Sequence, residues 1–314
     1  MDQQKAPVLS PSPHLHSGNS TTAIMLDVII ALVPTLVAAV FLFGWRVLAV
    51  TAVCVASCIA SEYLARLILK RDQTVGDLSA VVTGILLAFN LPPAIPLWQA
   101  ALGGVVAIVV VKQMFGGIGH NFVNPALVGR IVLMMSFPAA LTTYTFPSWM
   151  PVDSVTTATP LAASGGYDIP SLLFGTYGGC LGETCAAALL LGGIYLVVRR
   201  VITPTIPLYY IGTVFVLTAF ITGSPYAALC QVLSGGLILG AVFMATDYTT
   251  SPITPIGKVI FAIGCGVLTV VIREWGSLPE GVSFAIVIMN ILVPLIERMT
   301  YALPFGKKRG ECRG

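Results

Sequence analysis

Residues 76–93 read GDLSAVVTGILLAFNLPP, an apolar stretch that ends at two prolines before it is long enough to cross a lipid bilayer. A membrane-spanning helix needs about 20 apolar residues, and interrupted helices are tolerated in a membrane only where protein or water covers their backbone. This stretch therefore predicts a broken or tilted helix that is surrounded by other membrane-spanning helices.

The composition of the whole chain agrees with a membrane protein. Of its 314 residues, 56% are hydrophobic and only 9% are charged, whereas an ordinary soluble domain has about 25% charged residues. The net charge is +3 and the basic residues are dispersed, which argues against a nucleic-acid partner because such a partner requires a dense basic surface. Residues 1–21 show no cleavable signal pattern and are predicted to be a disordered cytoplasmic tail.

Ten apolar runs in the sequence are candidate membrane spans. They cover approximately residues 22–43, 46–68, 76–91, 97–113, 122–140, 181–198, 207–223, 228–246, 256–273 and 283–300. The third run stops at Asn90, just before Pro92 and Pro93, and the eighth stops at Thr246 and Asp247. Both runs therefore predict broken or tilted helices.

The positive charges between these runs predict an orientation. Basic residues concentrate in cytoplasmic loops, and most of them fall on one side of a ten-span arrangement: Lys70, Arg71, Lys112, Arg199, Arg200, Lys307, Lys308 and Arg309. We therefore expect both termini, including the basic tail 301–314, to lie in the cytoplasm. The polar segment 141–180 is then expected on the far side of the membrane.

The ten runs also form two sets of five. A shift of 157 residues moves the first run onto the sixth, and it moves Ala88-Phe89-Asn90 onto Ala245-Thr246-Asp247. Because five is odd, the halves 22–140 and 181–300 are predicted to be inverted repeats, an arrangement common among transport proteins. The predicted fold is an all-α polytopic membrane protein. The alternative, that evenly spaced helices align by accident, stays open.

Six ionisable residues fall within or at the ends of these runs. They are Asp27, Glu62, Arg66, Arg130, Glu183 and Asp247. Charges in a membrane are costly and often mark an ion path, and Asp27 and Glu183 have nearly equivalent places in the two halves. We predict an ion path that involves Asp27, Glu183 and Asp247, although solvation at the interface explains Asp27 and Glu183 almost as well. Glu62 and Arg66 are four residues apart and are predicted to form a structural pair.

The polar segment contains the sequence VDSVTTATPL at residues 152–161. Its hydroxyl groups have no neighbouring histidine to activate them, so a nucleophile is not predicted there. Residues 153–159 are similar to the flavinylation motif D-x-x-[ST]-G-A-T, in which a flavin transferase attaches FMN through its phosphate to the last threonine. That similarity implies Thr159 as the acceptor, with Asp153, Thr156 and Ala158 as recognition residues. Thr157 stands where the motif has glycine.

Four further segments resemble the family of membrane subunits that includes RnfD and NqrB. They are DLSAVVTG at 77–84, GGIGHNFVNPA at 116–126, GET at 182–184 and FMATD at 243–247. The resemblance implies a ten-helix inverted repeat related to urea-transporter-type channels. It also implies a subunit that carries electrons in a complex between reduced ferredoxin and NAD, coupled to Na⁺ or H⁺ translocation.

The same resemblance implies cofactors and partners. We expect FMN on Thr159, and a second, noncovalent flavin such as riboflavin near Thr246 and Asp247, although Asp247 is equally suited to cap a turn. Expected partners are the A, B, C, E and G subunits of an Rnf complex, a flavin transferase and membrane lipid. Ferredoxin and NAD are expected to contact other subunits, because this chain has no cysteine cluster and no G-x-G-x-x-G motif. No independent catalytic residue and no metal site are predicted.

A solute or ion channel of the urea-transporter type, without redox chemistry, is the alternative function. Ten spans, inverted halves and broken helices suit it equally well. The long outer segment that carries residues 152–161 favours the electron carrier, because a simple channel has no need of it.

Overall fold

The computed structural model describes residues 20–145, 168–276 and 280–301. Its α-helices are α1 (Thr21–Phe43), α2 (Arg46–Ile68), α3 (Ser79–Phe89), α4 (Leu97–Val106), α5 (Pro125–Ser136), α6 (Pro138–Thr142), α7 (Ile169–Phe174), α8 (Ala186–Val198), α9 (Thr205–Thr222), α10 (Pro225–Leu233), α11 (Leu237–Leu239), α12 (Pro255–Trp275) and α13 (Val282–Thr300). A π-helical segment Ala107–Gln113 continues α4, and another, Gly240–Met244, continues α11. Within these ranges there is no β-strand, so the predicted all-α fold is confirmed.

The helices are those of a multi-pass membrane protein. Among the described residues, α1, α2, α9, α12 and α13 are each long and apolar enough to cross a membrane. Helix α10 and the segment Leu237–Met244 are together long and apolar enough to be a further span, but they meet at a bend of 68°. Four shorter apolar elements, α3, α4 with its π-helical extension, α5 and α8, occupy the remaining predicted runs.

The broken helix α3 ends where the sequence predicted, and the segment before α8 covers its end. The carbonyl of Phe89 accepts a hydrogen bond from the amide of Gly182 at 2.9 Å, and the carbonyl of Leu91 accepts one from the amide of Leu181 at 3.0 Å. Because the last carbonyls of a helix have no partner within the helix, this pairing satisfies backbone groups that lipid could not.

The eighth run contains an internal break that was not predicted. The bend lies between Leu233 and Leu237, and the helical segment then continues to Met244, next to the predicted end of the run at Thr246 and Asp247. Arg273 of α12 stabilises this break, because its guanidinium donates to the carbonyl of Gln231 at 2.7 Å and to that of Ser234 at 3.3 Å. The residues that mark the break are Ser234-Gly235-Gly236, which lie inside the apolar run and did not interrupt its hydropathy.

Contacts between helices support the predicted repeat. Helix α2 packs on α4 in the first half, and α9 packs on α12 in the second. Across the halves, α1 packs on α8, and α5 packs on α13. The shift of 157 residues moves Pro125, the first residue of α5, onto Val282, the first residue of α13. The inversion of one half relative to the other stays a prediction.

Glycine permits the closest of these helix contacts. A Cβ atom at Gly84 of α3 would lie 2.7 Å from the Cα atom of Val55 in α2. A Cβ atom at Gly192 of α8 would collide with the carbonyl oxygen of Ala31 in α1. Small residues allow such approaches between membrane helices, where dispersion contacts rather than a hydrophobic driving force hold the helices together.

Candidate functional site

A cleft lies between the two halves of the protein, next to the residues at which the second flavin was predicted. Its volume is about 820 Å³, which includes the space at its open mouth. Its walls come from α1, α3, the loop before α5, the end of α8 and residues 243–249. The walls are mostly apolar, and the polar side chains among them include Ser79, Lys112, Asn124, Thr246 and Asp247. Small-molecule sites generally combine such apolar walls with a few placed polar groups.

Asp247 both lines the cleft and caps a turn. Its carboxylate accepts hydrogen bonds from the amide of Thr249 at 3.2 Å and from the Thr249 hydroxyl at 3.0 Å. Desolvation raises the pKa of this carboxyl group above its ordinary value, and the hydrogen bonds from Thr249 oppose the shift. The neighbouring Thr246 hydroxyl donates to the carbonyl of Val242 at 2.6 Å. The turn-capping role that the sequence left open is therefore present in the structure.

The Asn124-Pro125-Ala126 sequence starts helix α5 at the edge of the cleft. The side-chain oxygen of Asn124 accepts from the amide of Ala126 at 3.0 Å, and Pro125 occupies the first turn, where it needs no amide donor. The Asn124 amide group also donates to the carbonyl of Met244 at 3.3 Å. This sequence therefore connects the two halves and caps a helix.

A buried ion pair lies beside the cleft at the start of α3. The Lys112 ammonium is 2.8 Å from one carboxylate oxygen of Glu62 and 2.9 Å from the other. Gln113 and Thr74 each donate to the same carboxylate at 3.0 Å. Lys112 also donates to the Ser79 hydroxyl at 2.6 Å, so this cluster links α2, α3 and the π-helical extension of α4.

The structure corrects one prediction about these residues and confirms another. Lys112 was counted among the charges of cytoplasmic loops, but its side chain is only 2% exposed. The π-helical turns of 107–113 alter the direction of the side chains there, and such turns are frequent at functional sites. The predicted pair between Arg66 and Glu62 exists at 4.0 Å, but Lys112 is the closer partner.

A second buried cluster surrounds Arg130 at the other end of α3. Its guanidinium donates to the Asn90 side chain at 2.9 Å and to the Ser283 hydroxyl at 3.1 Å. It forms ion pairs with Glu280 and, at 3.5 Å, with Glu183. Glu280 lies outside the ten apolar runs of the sequence. It is nevertheless buried, and it completes a cluster that joins both halves.

Three side chains of the Arg130 cluster also have a geometry that could hold a metal ion. The ligand atoms of Cys180, Glu183 and Glu280 lie within 4.8 Å of one another. However, Arg130 reaches both carboxylates and donates to the Cys180 sulfur at 3.8 Å. Its positive charge occupies the place at which a cation would be stabilised, so we interpret this group as an ion-pair cluster.

The residues of the predicted ion path lie in three separate places. The Asp27 carboxylate pairs with Arg199 at 3.2 Å and accepts from the Tyr195 hydroxyl at 2.9 Å. Glu183 belongs to the Arg130 cluster, and Asp247 lines the cleft. The structure therefore does not bring these three carboxylates together. Asp153, Thr156, Ala158 and Thr159 lie outside the described residues, in the segment between α6 and α7.

Comparison with known proteins identifies the family. Residues 8–306 match the family model described as the NQR2, RnfD, RnfE family. This chain belongs to that family. A relative in Acetobacterium woodii is 46% identical over 95% of both chains, and its name makes it the D subunit of a Na(+)-translocating ferredoxin:NAD(+) oxidoreductase complex. A relative in Clostridium ljungdahlii is 39% identical over 96% of both chains and is named as the D subunit of a proton-translocating complex of the same kind.

A third relative has a less specific name. It is the D subunit of an ion-translocating oxidoreductase complex in Stutzerimonas stutzeri, 38% identical over 93% of this chain and 94% of its own length. All three alignments cover more than nine-tenths of both chains. The predicted resemblance to RnfD and NqrB is confirmed as membership of the NQR2, RnfD, RnfE family.

Proposed function

We propose that this chain is the membrane electron-carrier subunit of an ion-translocating ferredoxin:NAD oxidoreductase complex. The observation that carries the proposal is the 46% identity, over 95% of both chains, to the D subunit of such a complex. We place the chain in the inner, cytoplasmic membrane with both termini in the cytoplasm, because its basic residues favour that orientation. The reduced ferredoxin and NAD would contact other subunits of the complex.

The proposed covalent cofactor is FMN on Thr159. Support comes from the sequence, in which Asp153, Thr156 and Ala158 stand at the recognition positions of the motif. A flavin supplies one- and two-electron transfer when it is bound. The role of Thr159 would be to hold it through a phosphoester, so that it cannot diffuse away between cycles. A flavin transferase is the partner that this attachment requires.

We place a second, noncovalent flavin, such as riboflavin, in the cleft. The residues present fit such a group, since the apolar side chains of Val28, Val82 and Phe243 would contact a flat ring system. Asp247 and Thr246 would face its polar edge. Lys112 also lines the cleft, so a bound flavin would lie beside the buried pair with Glu62.

We further propose that electron transfer is coupled to Na⁺ or H⁺ translocation. The names of two relatives support coupling, one with Na⁺ and one with protons. Asp27, Glu183 and Asp247 are the proposed path residues, and each lies in a different cluster. The A, B, C, E and G subunits of the complex are the proposed partners and would supply the remaining electron carriers.

In-gel flavin fluorescence tests the proposed attachment. The chain is produced in a host that contains a flavin transferase, denatured on a gel and viewed under ultraviolet light. We expect a fluorescent band that disappears in Thr159→Val and persists in Thr157→Val, because only the acceptor hydroxyl forms the phosphoester. A dark band from the unaltered chain would contradict the attachment and favour a channel without redox chemistry.

A further inference from the structure

An apolar groove runs along the outside of the second half, between α8 and α9. Its volume is about 1160 Å³, including its open side, and none of the described residues that line it has a polar side chain. Gly193 of α8 and Gly212 of α9 line opposite walls and have no side chain to fill the groove. Leu229 of α10 and Val242 of the π-helical segment Gly240–Met244 complete the lining. An empty groove of this kind would forfeit dispersion contacts, so in a membrane it must be filled.

The groove is about as long as one leaflet of a bilayer. On α8 its lining extends from Leu190 to Val198, and on α9 it extends from Pro207 to Phe215. At 1.5 Å per helical residue, each wall is about 12 Å long. Half of a hydrocarbon core of about 30 Å is about 15 Å. A membrane-spanning helix of another protein would cross both leaflets, whereas this groove accommodates a group that enters only one.

Two arginines stand at one end of the groove. Arg199 and Arg200 follow α8 directly, and Val198, Ile202 and Pro204 of the same turn belong to the groove lining. Arg199 pairs with Asp27 at 3.2 Å. Arg200 is exposed, and within the described ranges its side chain has no hydrogen bond or ion pair. An uncompensated positive charge therefore lies where the groove reaches the membrane surface.

We propose that this groove binds one acyl chain of an anionic phospholipid, whose phosphate contacts Arg200. Bulk lipid tails are as apolar as the leucine and valine side chains of the groove, so the acyl chain alone gives little selectivity. Selectivity must come from the head group, where one basic residue near an anionic lipid changes affinity by about fivefold. This binding site is independent of the flavins and of the redox function.

Photo-crosslinking tests the site in the intact chain, purified with the subunits that accompany it. The probe is phosphatidylglycerol with a diazirine on its acyl chain, diluted into phosphatidylcholine vesicles. We expect saturable crosslinks to residues 190–198 and 207–215 that excess phosphatidylglycerol removes and excess phosphatidylcholine does not. Cardiolipin, which has the same phosphodiester, is compared as a second competitor, and either lipid supports the proposal if it competes.

Three variants make the test specific. Gly212→Leu places a large side chain in the groove, where a Cβ atom at this position has no neighbour within 4 Å, and it should abolish the saturable crosslinks. Arg200→Gln should raise the half-saturating probe concentration about fivefold. Ala56→Leu, on the exposed face of α2, is the matched control and should change neither value.

Two results would overturn the proposal. The first is labelling that does not saturate and is unchanged by Gly212→Leu, which would mean contact with bulk lipid only. The second is a disulfide or crosslink from Ile194→Cys, at the exposed side of the groove, to another subunit in place of the lipid. That result would identify the groove as a protein interface.

Discussion

The ammonium group of Lys112 lies 2.8 and 2.9 Å from the two carboxylate oxygens of Glu62, and both side chains are almost completely buried. Breaking a buried pair by removal of one partner leaves an uncompensated charge, whereas replacing both partners is much less harmful. The stability of the first half should therefore depend on the pair as a unit.

Lys112→Met should accordingly destabilise the protein by about 3–5 kcal/mol. The double variant Glu62→Gln with Lys112→Met should recover most of that loss. The measurement is the midpoint temperature at which the chain, in mild detergent, disappears from its size-exclusion peak after heating. Lys70→Met, at an exposed lysine, is the matched control. Equal midpoints for the single and double variants would show that the charges do not depend on each other.

Arg130→Lys tests the second cluster. The planar guanidinium contacts Asn90, Ser283 and both glutamates at the same time. Lysine preserves the charge but lacks the several planar N–H donors of the guanidinium group, so at least one buried partner should lose its hydrogen bond. We expect a loss of about 2–3 kcal/mol in the same heating assay. Arg199→Lys, whose arginine side chain is 57% exposed, should leave the midpoint temperature nearly unchanged, because exposed ion pairs contribute little to stability. Comparable losses from both variants would refute the special role of Arg130.

Gly84→Ala tests the contact between α2 and α3. The added Cβ atom would meet the Cα atom of Val55 at 2.7 Å, and backbone atoms cannot move aside as a flexible side chain can. Overpacking of this kind typically destabilises a protein by about 1–3 kcal/mol. Gly76→Ala is the control, since a Cβ atom there has no neighbour within 4 Å. If the same heating assay shows unchanged stability for Gly84→Ala, α2 and α3 can move apart enough to accommodate the methyl group without a measurable loss of stability.

The sequence predicted the helices of this protein better than it predicted the contacts of its charges. Apolar runs and prolines indicate helices and their ends through local physical chemistry, so α3 and its break at Asn90 were found. Glu62 and Lys112 are 50 residues apart, and Arg130 and Glu280 belong to different halves. Hydropathy marks such charges as unusual but carries no information on which of them meet across helices.

The break between Leu233 and Leu237 was missed for a related reason. Glycine is tolerated within apolar membrane helices, so Ser234-Gly235-Gly236 did not interrupt the hydropathy of the run. A tertiary contact stabilises the end of α10, because Arg273 of α12 donates to the free carbonyls of Gln231 and Ser234. A local pattern cannot reveal a donor that arrives from about 40 residues away in the chain.

The proposed second flavin predicts that filling the cleft removes one cofactor and leaves the other. Val28 of α1 lines the cleft, whereas Val37 of the same helix is 46% exposed on its outer face. Acid precipitation should release the noncovalent flavin into the supernatant and leave the covalent flavin in the pellet. Val28→Trp should deplete the supernatant flavin by at least about tenfold, a change equivalent to about 1.4 kcal/mol of binding, while the pellet still fluoresces. Val37→Trp should preserve both fractions. If Val28→Trp keeps its supernatant flavin, the second flavin binds elsewhere; if the unaltered chain releases none, the cleft has another occupant.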